Sequence, residues 1–262
     1  MNDQDFIDVD FATCREYMGG DLGGTLYGMT EYESTVDVMN DREIDKGIEE
    51  AAEHDSGLDR LVTRIFDQRR EGSCVAQACA QANQVIQAKE HGKENVVQLS
   101  AMSLYKRIGR TASSGARVSD GLQEMGAQGI LPLDTPANRR EFGDLVMPNV
   151  GFGASMPDGW KGVAKRFRVA EYQVIRTVQG ICHALLSREP VIVGRDGHSV
   201  CYLNLVRREG RRCAVYVNSW SSRWGFGAGG FDGGFGLDTE AQMKRSASWA
   251  VALRSLVYGA IA

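Results

Sequence analysis

The chain changes its periodicity once. Between residues 73 and 129 apolar side chains return every three or four positions. Between residues 168 and 220 they come in short blocks set apart by turn residues. Val75, Ala78, Cys79, Ala82, Val85 and Ile86 predict a helix that starts near Ser73 and closes at Gly92. Further helices are expected over residues 101–110 and 119–128, the last stopped by Gly129. Residues 168–175 predict a strand, and residues 177–188 a helix with Ile181, Leu185 and Leu186 inward. The runs 190–194, 198–206 and 212–220 read as strands joined by Arg195-Asp196-Gly197 and Arg208-Glu209-Gly210. Residues 131–165 hold four of the five prolines and read as irregular; seven glycines between 225 and 236 mark loops or bulged strands. Helices first and antiparallel strands second predict an α+β protein, with a helical lobe over about residues 66–165 and a β lobe over about residues 166–262.

A chain of 262 residues with 43% apolar side chains can bury a core without disulfides or metals. Its charge is unevenly placed. Residues 1–55 carry 16 acidic and 3 basic side chains, and the rest 18 acidic and 27 basic. Residues 1–55 are therefore read as an acidic arm or leader ahead of a domain at 56–262. Gly19, Gly20, Gly23 and Gly24 break its first half; residues 41–54 are helix-prone but too polar for a strong core face. Such an arm is expected to dock on its own body or on a protein partner. No helix-turn-helix, zinc or stacking motif accompanies the basic body, so nucleic acid is not expected as a partner. No run of 18 apolar residues predicts a membrane span, and the start lacks the regions of a signal peptide. The expectation is a cytoplasmic protein, or one released by a non-secretory route. Six cysteines without a CxxC pair read mostly as small core residues.

Cys74 breaks that pattern. It follows the polar stretch 67–73 and opens a predicted helix, where the first-turn N–H groups favour a thiolate over a thiol. The polar stretch argues against simple burial. His198 opens a strand just after a turn, where an imidazole can act on a neighbouring thiol and protonate a leaving group. Asn218 ends the partner strand, so its amide oxygen can orient the imidazole, with Trp220 covering the bond. Gln68 lies six residues before Cys74 and can donate to a developing oxyanion beside the Cys74 N–H. Taken singly, each has a plainer reading: a buried thiol, a structural histidine, a turn with a core tryptophan, a surface glutamine.

Taken together, Gln68-x5-Cys74, Gly197-His198, Asn218-Ser219-Trp220 and Trp224-Gly225 resemble the papain-like cysteine peptidases in kind and order. Gln98-Leu99-Ser100 and Asp120-Gly121-Leu122-Gln123 resemble later segments of that family's helical lobe. The resemblance implies a two-lobe papain-like fold with a polypeptide substrate in the cleft between the lobes and no cofactor or metal. It implies a Cys74-His198-Asn218 triad acting through a thioester, and an oxyanion hole from Gln68 and Cys74. Gly115 and Ala116 would form a ledge for the substrate backbone, with Arg117 and Val118 beside a side-chain pocket. The chain departs from the family at Val75, where Trp is usual, and at Glu71, where a half-cystine is usual. It also shortens the link from Pro190-Val191 to His198. Two alternatives to a cysteine endopeptidase stay open. One is a structural or assembly protein, of virion type, on the same scaffold, acting as an enzyme or not. The other is a Cys-dependent acyltransferase or amidase.

Overall fold

The computed structural model describes residues 31–195 and 197–258. The first thirty residues of the acidic arm, with Cys14, Gly19, Gly20, Gly23 and Gly24, lie outside the described residues, as does Asp196.

Helix α1 (Asp41–Glu53) starts at an Asn40–Glu43 capping box, in which each side chain satisfies the other residue's N–H. Its polar sequence gives it a narrow seat: Ile44 and Ile48, one turn apart, are both buried. Helix α2 (Cys74–His91) is the axis of the helical lobe and is buried on nearly every side. Its apolar residues explain only part of that. Gln77, Gln84, Gln87 and Asn83 are buried because their amides hold loop backbone or side chains. Gln84 Oε1 accepts from Leu99 N (2.5 Å), Gln87 Oε1 from Val97 N (3.0 Å), and Asn83 Nδ2 donates to the Phe167 carbonyl (3.1 Å). Helices α3 (Ala101–Ile108) and α4 (Val118–Gln128) pack on it. The stretch read as irregular contains two short helices, α5 (Pro136–Phe142) and α6 (Trp160–Ala164). Pro136 does not break α5 because it stands at the helix start, after the Thr135 cap, where its missing N–H costs nothing.

The second half is one antiparallel sheet in the order β1-β7-β2-β3-β4-β6-β5. Its strands are β1 (Phe167–Ile175), β2 (Val191–Arg195), β3 (His198–Arg208), β4 (Arg211–Val217), β5 (Phe226–Ala228), β6 (Phe231–Thr239) and β7 (Ala250–Tyr258). Helix α7 (Val178–Leu186) follows β1, and α8 (Glu240–Ser246) follows β6. The glycine-rich segment is thus largely strand: β5 and β6 pair as a bulged ribbon.

Alternate residues feed two apolar layers. Ile192, Cys201, Leu203, Val215, Val217 and Val251 face the helical lobe and α2. Val191, Val193, Tyr202, Ala214, Tyr216 and Ala252 face the other way, toward a layer that includes Ile44, Ile48 and Ile181. Helix α1 is therefore on the sheet face opposite α2, against α7. Arg212 of β4 reaches Asp41 (2.6 Å) and Asp45 (2.8 Å), and Arg207 of β3 reaches Asp45 (2.6 Å). No helix among the described residues is long and apolar enough to cross a membrane.

Candidate active site

The loop before α2 is pinned on three sides. On the β side, Gln68 N donates to the Ser219 carbonyl (2.8 Å) and Ser221 N to the Phe66 carbonyl (3.0 Å). On the helical side, Gly72 N donates to the Ala112 carbonyl (2.8 Å). A β-carbon on Gly72 would lie 2.7 Å from Gly115 N, so only glycine lets these loops touch. Glu71 makes the third tie: its carboxylate accepts from Gly151 N (2.9 Å) and Phe152 N (2.8 Å). The loop so held delivers Cys74 as the first residue of α2.

The polar loop does not leave that residue at the surface. Cys74 is fully buried, in the apolar layer around α2, because the loop backbone lies against both neighbours while Arg69 and Arg70 turn outward. The five described cysteines form no disulfide.

His198 begins β3, directly across the hairpin from Arg195. Its Nε2 lies 2.8 Å from Asn218 Oδ1. That oxygen is identified by a second donor, Ser219 N at 2.7 Å, so the imidazole must donate to it. A neutral ring then carries its lone pair on Nδ1, which is buried and has no hydrogen-bond partner among the described residues. Trp220 stacks on the imidazole with centroids 4.4 Å apart, and Trp224 meets Trp220 edge-on at 5.3 Å. Burial pushes the imidazole pKa down to about 3; the bond to Asn218 opposes this and the Arg195 charge adds to it. The ring is neutral at pH 7.

Gln68 is buried, which sets aside the plainer reading of a surface glutamine. Its Oε1 accepts from Ser219 Oγ (2.5 Å), and its Nε2 donates to the Glu71 carbonyl (2.8 Å), which leaves one amide N–H for another acceptor. Gly115 and Ala116 are buried beside Gly72, and Gly115 N donates to Tyr105 Oη (3.2 Å). Arg117 is exposed at the N-terminus of α4, and Val118 is buried. A cavity of about 10 Å³, walled by Gln77, Ala78, Gln81, Ser199 and Asn218, joins the first turns of α2 to the neighbours of His198. Its volume is about that of one water-sized probe, too small for a peptide side chain.

Two contributors were not read from the sequence. Ser219 stands in the sequence only as the middle of Asn218-Ser219-Trp220, yet its hydroxyl and N–H hold Gln68 and Asn218. Arg195 was read as a turn residue. It is buried, ion-paired with Asp238, and lies 4.5 Å over the Tyr216 ring; Tyr202 Oη also donates to Asp238 (2.5 Å). Among the described residues no cluster of three or more His, Cys, Asp or Glu could hold a metal ion.

No family model and no curated protein matches the chain. Solved structures do. Digestive procathepsin L 3 of Tenebrio molitor larval midgut aligns at TM-score 0.64 and 14% identity, over 94% of this chain and 80% of that one. Xylellain, a cysteine protease from Xylella fastidiosa, aligns at 0.56 and 18%, over 74% and 83%. The bromelain protease from Ananas comosus, in complex with the E64 inhibitor, aligns at 0.56 and 14%, over 76% and 95%. At these identities the likeness is one of fold: the chain has the papain-like two-lobe α+β fold.

Proposed function

We propose that the chain is a cysteine endopeptidase on this papain-like scaffold, with Cys74 as nucleophile, His198 as acid and base, and Asn218 as the group that orients the imidazole. The observation that carries the reading is the state of His198. The ring is neutral, held through Nε2 by Asn218 and stacked on Trp220, with the Nδ1 lone pair unbonded among the described residues. In the reaction Nδ1 takes the proton from Cys74 Sγ, and the sulfur attacks the carbonyl carbon of a peptide bond. The first-turn N–H of Cys74 and the remaining Nε2–H of Gln68 stabilise the oxyanion, a donor of this kind being worth about 10²–10³ in rate. The imidazolium passes its proton to the amine nitrogen as the C–N bond breaks and a thioester forms. Water then adds to the thioester, giving its proton to Nδ1. The thiolate leaves and is reprotonated from the same nitrogen. Substrate backbone runs along Gly115 and Ala116, with Arg117 and Val118 beside a side chain.

The described part of the acidic segment supports a docking role on its own body, since α1 sits across the sheet from α2 and cannot plug the cleft. The complete burial of Cys74 favours a second reading, a non-enzymatic assembly protein that retains the scaffold.

Labelling separates the two. The epoxysuccinyl inhibitor E64, which bromelain binds, is expected to add once at mildly acidic pH, on Cys74, and not to the Cys74→Ala protein. Mass spectrometry of the intact protein and its peptides reads the site. No adduct on the folded chain, or equal labelling of the other cysteines, would leave the non-enzymatic reading in place.

A further inference from the structure

Three loops meet at the start of α2: residues 66–73, which lead into Cys74, residues 110–117 on the helical side, and residues 218–224 on the β side. Each carries exposed arginine: Arg69 and Arg70 on the first, Arg110 and Arg117 on the second, Arg223 on the third. None of the five forms an ion pair with another described residue. The nearby carboxylates are otherwise engaged. Asp67 accepts from Arg69 N (2.9 Å), Glu71 from two backbone N–H groups, and Asp120 from Ser119 Oγ (3.4 Å). Some arginines elsewhere in the fold, Arg107, Arg139 and Arg212 among them, have acidic partners at 2.5–2.8 Å, while others, such as Arg64, Arg140 and Arg208, form no ion pair with another described residue; what sets these five apart is that they cluster on three touching loops. The five guanidinium groups outnumber the carboxylates of Asp67, Glu71 and Asp120, so net positive charge is gathered around the nucleophile loop and on both of its neighbours.

We infer that these loops form a recognition surface for acidic polypeptide, and that the site selects stretches bearing Asp or Glu on both sides of the bond to be cut. The inference rests on the proposed peptidase reading only for the cutting; the binding stands separately. A chain crossing Cys74 between the lobes passes over all three loops, so its carboxylates meet guanidinium on either side. Planar guanidinium groups suit carboxylates because two parallel N–H donors match two oxygens. Exposed pairs are individually weak, so selectivity comes from several acting together and is sensitive to salt.

The test uses two internally quenched peptides of one sequence, with three Asp flanking the scissile bond in one and three Asn in the other. At low salt the full chain is expected to cleave the Asp peptide with kcat/KM at least about fivefold higher, an advantage that shrinks at 0.5 M NaCl. Fluorescence anisotropy with the Cys74→Ala protein reads binding without chemistry, and the Asp peptide is expected to bind more tightly there too. The triple variant R69E/R70E/R223E should lose that preference, and R69K/R70K/R223K should keep most of it. Equal cleavage of both peptides, or a preference for Asn, would overturn the inference and leave the peptidase reading intact. Salt-sensitive binding of the Asp peptide with no cleavage of either would do the reverse. Equal binding of both peptides to Cys74→Ala, with no cleavage, would end both.

Discussion

Asn218 is one carboxamide with two donors on a single oxygen, Ser219 N and His198 Nε2. Cutting it back to alanine removes the acceptor that fixes the imidazole's rotation and leaves a buried N–H unpaired. Asn218→Ala is expected to lower kcat about 10²-fold while KM changes little, because a misaimed base loses rate rather than affinity. Steady-state kinetics on the Asn-flanked peptide decides it. An unchanged kcat would mean that Trp220 stacking alone holds the ring. At this scale the sequence was informative where partners are close along a hairpin: the turn between β2 and β3, and the short return to β4, place His198 and Asn218 at one end of the sheet. It was silent where partners are remote. Nothing local to Arg195 announces a salt bridge to Asp238, 43 positions away. Nothing around Gln68 announces a hydroxyl 151 positions away.

Helix α1 shows how an element can be seen and still undervalued. Its span was legible from its helix formers, but its composition, one acidic or basic residue after another, argued against a seat in the core. Two isoleucines a turn apart are enough, because acids on the flank meet Arg207 and Arg212 as the apolar edge goes inward. Ile44→Ala is expected to cost about 3 kcal/mol of stability, the usual range for emptying a fully buried aliphatic site. A urea midpoint measures it, and labelling of Cys74 below the transition should be unaffected. A shift under about 0.5 kcal/mol, the size of an ordinary surface substitution, would mean the helix only rests on the sheet. Helix α2 misleads in the other direction. Periodicity found one apolar face, whereas the glutamines on its other faces are buried as well, because side-chain amides can satisfy loop backbone that has no ladder of its own.

For the molecule as a whole, the buried neutral imidazole is a liability at low pH. The unfolded chain binds a proton on this side chain near pH 6.5, the folded chain only near pH 3. Stability is therefore full above about pH 6.5 and falls as the pH drops toward 3, by about 2 kcal/mol at pH 5 from this group alone. Between pH 7.5 and pH 5 the unaltered protein should lose about that much more stability than His198→Gln, as read from paired urea titrations. Equal losses would mean the ring is solvated or already charged. The two-lobe outline was readable from the single change of periodicity, since each half must bury its own kind of face. The layering of α1, α7 and α8 behind the sheet was not, because it depends on which alternate residues point which way.

That layering divides labour. The strand bearing the imidazole is gripped from front and back, whereas the arginines hang from connecting loops at the rim. If the proposed peptidase reading holds, loop residues can be exchanged to redirect which polypeptides are chosen while the reacting atoms keep their frame, so a designer wanting a different appetite from this protein should rewrite its margins and leave its spine alone.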